Sequence, residues 1–273
     1  MPRTHTFPGE GGVEIHAKWW PAKRTRGSVV IAHGGGEHSG RYQHVAERLN
    51  KERFAVFALD HRGHGQSGGS PGLIDSLEKT VDDLGTLIGL ADDELPDKKL
   101  FLLGHSMGGL IALEYALERQ DTLDGLALSA PLAKLEAASP LQLAAARVVS
   151  VVAPATGVFK VDSSTVSRDP DIVHAYDDDP LVLHDKLPAR TITELAAAIN
   201  RFPDRLPSLR LPLLVMGGTA DRLVPPEAAT MVHDLAGSED KTLIEYEGLY
   251  HEILNEPEQD EVLDDLVEWL KST

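Results

Sequence analysis

The sequence predicts an α/β fold: a mostly parallel central sheet with helices on both faces and an inserted helical cap. Three observations carry that expectation. Apolar, β-branched runs alternate with helical patterns over both flanks of the chain. An early stretch alternates apolar and polar residues with period two, and one central region breaks the series.

Val13–Trp20 sets Val, Ile, Ala and Trp against Glu, His and Lys, the pattern of an amphipathic, antiparallel edge strand. Parallel strands are expected at Ser28–Ala32, Phe54–Leu59, Leu100–Leu103 and Gly125–Leu128, then at Leu213–Met216 and Thr242–Tyr246. Helices are expected at Tyr42–Lys51, through Leu77, Val81, Leu84, Leu87 and Ile88, and at Met107–Arg119, Glu227–Leu235 and Pro257–Leu270. The last two begin at or just after prolines, which suit a first helical turn because the missing N–H has no partner there.

The break divides the chain into a core of residues 1–130 and 211–273 and a cap of residues 131–210. The cap carries Ala-rich helical stretches at Leu141–Val152 and Thr191–Ile199, several prolines and no convincing strand. Asp177–Asp179 lacks the spaced ligands and glycine of a calcium loop and reads as a solvated turn. An insertion late in a βα series reads as a lid over the active face.

With 273 residues, 42% of them hydrophobic and 25% charged, the chain can build one sizeable core. A net charge of −17 repels phosphate backbones, so no nucleic-acid partner is expected. No apolar run approaches the roughly 18 to 20 residues that span a bilayer, and Met1–Glu10 has no apolar leader core. Cytoplasmic residence is the expectation. The mostly apolar Leu141–Val152 leaves room for transient, peripheral contact with a membrane surface, hydrophobic rather than electrostatic in origin. The absence of cysteine removes disulfides, thiolate metal sites and a thiol nucleophile together.

Gly104-His105-Ser106-Met107-Gly108 is a G-x-S-x-G pattern between an expected strand and an expected helix. Such a turn exposes a serine at the top of the sheet, and its flanking glycines leave room for strained backbone. Ser106 is the candidate nucleophile, and it needs a base held by an acid. Both partners are expected later in the chain, in the order acid, then histidine. Asp221 follows the strand at Leu213–Met216 and is the candidate acid; His251 follows the next strand and is the candidate base. His174 and His184 fall in the cap, and His233 lies inside an expected helix. Two amides are needed to bind an oxyanion: Met107, after the nucleophile, and Gly35, in the glycine run after the first parallel strand. His61-x-x-His64 beside Asp60 lacks a third ligand at metal spacing, so no metal and no cofactor are expected.

Four segments together resemble the monoacylglycerol lipase group of the α/β hydrolases: His33-Gly34-Gly35-Gly36-Glu37-His38-Ser39-Gly40-Arg41-Tyr42, Asp60-His61-Arg62-Gly63-His64-Gly65-Gln66-Ser67, Gly104-His105-Ser106-Met107-Gly108-Gly109 and Tyr246-Glu247-Gly248-Leu249-Tyr250-His251-Glu252. Asp162-Ser163-Ser164, Ser167-Arg168 and Tyr176 with Asp179-Pro180-Leu181 are similar too. The resemblance implies cofactor-free hydrolysis of a monoacylglycerol, a lipid ester, through an acyl-enzyme under a cap that forms the acyl-chain entrance. It carries Ser106, Asp221 and His251 onto the triad, Gly35 and Met107 onto the oxyanion donors, and Glu37, Arg41 and Tyr176 onto the glycerol end. The chain departs from some relatives at the thiol-free run Asp221-Arg222-Leu223-Val224 and at Leu254, where a second histidine stands in others. A lysophospholipase or short-chain carboxylesterase would use the same triad, and a non-catalytic ligand-binding homologue is the reading from another class. Neither acyl-chain length nor oligomeric state is encoded in these motifs.

Overall fold

The computed structural model describes residues 2–135 and 148–273. Its strands are β1 (Arg3–Pro8), β2 (Glu14–Trp20), β3 (Gly27–Ala32), β4 (Phe54–Leu59), β5 (Lys99–His105), β6 (Gly125–Ser129), β7 (Gly157–Phe159), β8 (Leu187–Pro188), β9 (Leu213–Gly218) and β10 (Lys241–Tyr246). Eight of them form one sheet in the order β1-β2-β4-β3-β5-β6-β9-β10. β1, β2 and β4 pair antiparallel, and every neighbour from β4 to β10 is parallel. The central strands are buried on both faces, so their sequences read as unbroken apolar runs.

The period of two then sorts those runs onto two cores. Val30, Phe57, Leu102, Leu128 and Val215 face one hydrophobic cluster. Val29, Val56, Phe101, Ala127 and Met216 face the other. Helices α1 (Gln43–Lys51) and α8 (Gln259–Ser272) supply Val45, Leu49, Val262 and Leu266 to the second cluster. Helices α2 (Leu77–Glu94), α3 (Met107–Arg119) and α7 (Glu227–Leu235) supply Leu84, Ile111 and Val232 to the first.

The strand at Val13–Trp20 is not the edge. β1 covers it, and Arg3-Thr4-His5-Thr6-Phe7-Pro8 gave no apolar alternation because Phe7 alone in that strand is buried. Between β6 and β9 lie α4 (Pro170–Asp178), α5 (Ala189–Ile199) and the short α6 (Phe202–Arg205), with residues 148–152 also helical. Residues 141–147 of the expected Leu141–Val152 helix lie outside the described residues. The insertion also contains a strand pair that was not expected: β7 and β8 pair antiparallel over two or three residues, too short to leave a periodic signature.

Asp177 and Asp178 are exposed at the end of α4, but Asp179 is not a free surface charge. Its carboxylate accepts from the Leu181 N–H at 2.9 Å and from His38 Nε2 at 2.9 Å, tying the insertion to the core. The His38 tautomer follows, since its Nδ1 already accepts from the Gly40 N–H. Further ties run from the Leu183 N–H to the Gly36 carbonyl (2.7 Å) and from the Arg168 guanidinium to Glu256 (3.1 Å).

Candidate active site

β5 ends at His105, and Ser106 occupies the turn into α3 with φ 53° and ψ −119°, a left-handed conformation that costs a non-glycine residue on the order of 1–3 kcal/mol. Its peptide is pinned in that state. The Ser106 N–H donates to Ser129 O at 3.0 Å, and its carbonyl accepts from Leu110 and Leu132. Gly108 permits the tight crossing of the turn under β3: a Cβ there would lie 2.1 Å from the Ala32 carbonyl oxygen.

β9 and β10 run parallel, with Gly218 opposite Tyr246, so the loops beyond them open side by side at the carboxyl end of the sheet. Three residues past β9, Asp221 accepts from the N–H groups of Leu223 (2.8 Å) and Val224 (3.0 Å). Its other oxygen lies 2.7 Å from His251 Nδ1, and His251 Nε2 lies 2.8 Å from Ser106 Oγ. Burial works against a charge on Asp221, but the His251 ring and the two amide donors hold its carboxyl below the usual carboxylate range. Burial also disfavours a charged His251, and here the Asp221 carboxylate wins, raising the imidazole above its ordinary value. With Asp221 ionised, Nδ1 carries the proton and Nε2 faces the serine hydroxyl as an acceptor.

Gly35 faces Met107 across the same space; a Cβ on Gly35 would stand 3.7 Å from Met107 Cβ. Its loop is tied on both sides, since Gly34 N–H donates to Glu37 Oε1 at 2.5 Å and Gly36 carries the cap contact described above. Glu37 is therefore more occupied than its expected place at a glycerol end implies. Besides Gly34 it accepts from Tyr42 Oη (2.7 Å) and Arg41 (3.0 Å). Burial opposes its ionisation, yet Arg41, His105 and His33 bring it down to about 2.

Arg41 sits behind this end of the site, bidentate on Glu252 at 2.6 and 2.8 Å and 4.8 Å from the centre of the Tyr176 ring. Tyr176, on α4, is buried, and its hydroxyl has no hydrogen-bond partner. Burial, with Glu252 and Glu37 nearby, pushes that phenol up, so it remains a donor. The structure thus gathers Ser106, Asp221, His251, Gly35, Met107, Glu37, Arg41 and Tyr176 at one place.

Two further residues belong to it that sequence reasoning did not place there. Glu252 lines the cavity and pairs with Arg41 across 211 residues of sequence, a separation that leaves no local signal. His105 packs its ring 4.9 Å from that of His251, and burial together with that neighbour lowers it to about 4, which keeps it neutral. His61 and His64 are buried below the loop, where the His61 N–H donates to His33 Nε2 and the His33 ring donates to Gly34 O.

A cavity enclosing about 830 Å³ of empty space, solvent mouth included, opens on Ser106. Leu132, Leu135, Phe159, Ile192, Leu195 and Leu223 give it apolar walls, and Glu37, Tyr176 and Glu252 a polar patch. Such a site can hold a long hydrocarbon and a small polar group beside a reactive hydroxyl.

The fold and the hydrogen-bonded line of serine, histidine and aspartate define an α/β-hydrolase. A family model described as Hydrolase_4, serine aminopeptidase S33, matches residues 23–258. A monoacylglycerol lipase of Mycolicibacterium smegmatis is 43% identical over 98% of this chain and 96% of its own length. A monoglyceride lipase of Rattus norvegicus is 37% identical over 97% and 89%. The crystal structure of a Paleococcus ferrophilus monoacylglycerol lipase superposes with a TM-score of 0.85 at 36% identity, covering 94% of this chain and 98% of that one. The chain belongs to the Hydrolase_4 family of ester hydrolases, within its monoacylglycerol lipase group.

Proposed function

We propose that this protein hydrolyses monoacylglycerols to fatty acid and glycerol with Ser106 as nucleophile, His251 as base and Asp221 as orienting acid. The observation that carries the reading is the continuous line Ser106 Oγ, His251, Asp221, with contacts of 2.8 and 2.7 Å, opening on a cavity with mostly apolar walls and a polar patch of Glu37, Tyr176 and Glu252. His251 Nε2 takes the serine proton as Oγ attacks the ester carbonyl, then delivers it to the departing glycerol oxygen. Water repeats both steps on the acyl-enzyme. The amides of Gly35 and Met107 bind the oxyanion each time, at about 3 kcal/mol per donor.

Residues 131–210 act as the cap, and the acyl chain follows the apolar walls. Glycerol stays at the polar patch, where the unpartnered Tyr176 hydroxyl donates to it and Glu37 and Arg41 hold the loop and the wall. No helix among the described residues is long and apolar enough to cross a membrane. Peripheral contact is supported by exposed apolar side chains on the cap: Val148, Val151 and Val152 are 63%, 75% and 79% exposed, and Phe159, at the cavity mouth, is 45%.

Two assays test these assignments. A fluorophosphonate probe is expected to label the wild type and not Ser106→Ala; equal labelling of both sinks the nucleophile. Turnover of 1-oleoylglycerol, a lysophospholipid and a short aryl ester, measured side by side, is expected to favour the first, and preference for another moves the substrate class.

A further inference from the structure

The head end of the cavity is out of electrical balance. Among the described residues that line the cavity, the titratable ones are Glu37, His105, Tyr176, His251 and Glu252, and none is a lysine or arginine. Arg41 is the cation behind them, and it is already shared by two carboxylates: both terminal nitrogens donate to Glu252, and Nη1 makes a third contact to Glu37 at 3.0 Å. Two negative charges therefore face one positive charge. His105 does not correct the deficit, because burial and the His251 ring leave it neutral near pH 7. His251 has its Nδ1 proton committed to Asp221 at 2.7 Å.

The remaining polar atom, Tyr176 Oη, is buried without a partner. A neutral hydroxyl can donate to an alcohol oxygen but cannot neutralise a phosphate. Beyond it, a second groove on the cap shares Val161 and Tyr176 with the cavity and sets Asp162 and Asp177 against Lys160. The negative sign thus continues outward from the site. Between side chains as buried as Glu37 and Glu252 such an imbalance weighs more than it would at the surface.

We propose that this end is a charge filter on the leaving alcohol: it accepts neutral and cationic alcohols, rejects phosphate-bearing ones, and makes acyl esters of amino alcohols a second substrate class. The inference rests on the ester-hydrolase reading of Ser106. Its chemistry is unchanged: the ester C–O bond breaks, the acyl group passes to Ser106 Oγ, and the serine proton travels through His251 to the leaving oxygen. Water then releases the acid. The cationic nitrogen stays charged throughout, beside Glu252 and Glu37.

The test is a set of octanoyl esters kept below their micelle concentrations, so that no charged interface enters. Octanoylcholine is compared with its uncharged isostere, 3,3-dimethylbutyl octanoate, and 1-octanoylglycerol with 1-octanoylglycerol 3-phosphate. At 0.15 M salt, kcat/KM is expected to be at least about tenfold higher for the cation than for its isostere, and at least about a hundredfold lower for the phosphate ester than for the glycerol ester. In Glu252→Gln, which restores a one-to-one balance with Arg41, the choline-to-isostere ratio is expected to fall towards one. If that variant does not fold, the wild-type ladder decides alone. Equal kcat/KM across the charge series, with 1-octanoylglycerol readily cleaved, overturns the filter and leaves the hydrolase reading intact. Failure to cleave any ester overturns both.

Discussion

The central sheet and the segment of the insertion around Tyr176 are held by different physics. The core's strands place Val30, Ile31, Leu102, Leu103 and Val215 at essentially zero exposure between two layers of helices. The insertion divides its hold: Leu195, Ala198, Ile199, Phe202, Leu206 and Leu209 join the first core cluster, whereas the segment around Tyr176 has its own small cluster of Val166, Tyr176 and Val182 and polar ties to the core, His38 with Asp179, Leu183 with Gly36 and Arg168 with Glu256. The proposed nucleophile, base and acid all stand on core loops, whereas Tyr176 and much of the apolar lining stand on the insertion. The proposed reaction geometry thus rests on loops of the large core, and Tyr176 on the segment with the smaller apolar cluster.

The largest expected effect follows from the core side of that division. Asp221→Asn leaves the shape of the site but favours the wrong imidazole tautomer, so kcat for monoacylglycerol should fall by about 10⁴. The thermal midpoint should move little. An unchanged kcat would assign the acid to another residue.

Arg41→Met strikes the seam between the two parts. It leaves Glu37 and Glu252 buried without their cation, and unfolding by denaturant should show a loss of about 3–5 kcal/mol. A loss below about 1 kcal/mol would mean that water, not Arg41, compensates those carboxylates.

Proton linkage gives a smaller effect, again in the core. Folding lowers His64 and His105 to about 4, through burial first and neighbouring imidazoles next, and lowers His61 as well. The unfolded chain then binds more protons than the native one below pH 6.5. Stability should be fully present above that pH and fall as pH drops towards 4, by up to about 3 kcal/mol for His64. Activity has the opposite root: His251 is raised, so kcat/KM should decline tenfold per unit below its own pKa, starting above pH 6.5. Chemical denaturation at stepped pH checks the first trend, and a pH–rate profile the second.

The same division governed what could be read from the chain alone. Core strands and helices such as Phe54–Leu59, Met107–Arg119 and Glu227–Leu235 were expected at their observed bounds, because burial on both faces gives a strand an unbroken apolar run and burial of one helix face imposes a period. Ser106, Asp221 and His251 were legible because each sits on a short turn or loop after an expected strand. β1 was missed since its side chains mostly face water, and β7 with β8 since three residues carry no period. Glu252 and the tie between His38 and Asp179 were invisible for another reason. Charged side chains 211 and 141 residues from their partners leave no local pattern, and the pairing is created by the fold.

The smallest effect offers the sharpest test of the comparison. Asp179 links the cap to His38 from a position still 26% exposed, so the ion pair gains little in net stability. In Asp179→Ala the unfolding free energy should change by less than about 1 kcal/mol. His38 loses an acceptor, but Ser106, His251 and Asp221 keep every contact to one another. Removing one cap tie while Leu183, Thr191 and Arg168 keep theirs should loosen the placement of Tyr176 and raise KM about two- to threefold at nearly constant kcat. The reverse pattern, a tenfold drop in kcat with KM unchanged, would show that the tie sets the oxyanion loop during reaction. His38 and Gly36 flank Glu37 on that loop, so such a result would move the cap from selecting substrate to shaping the chemical step.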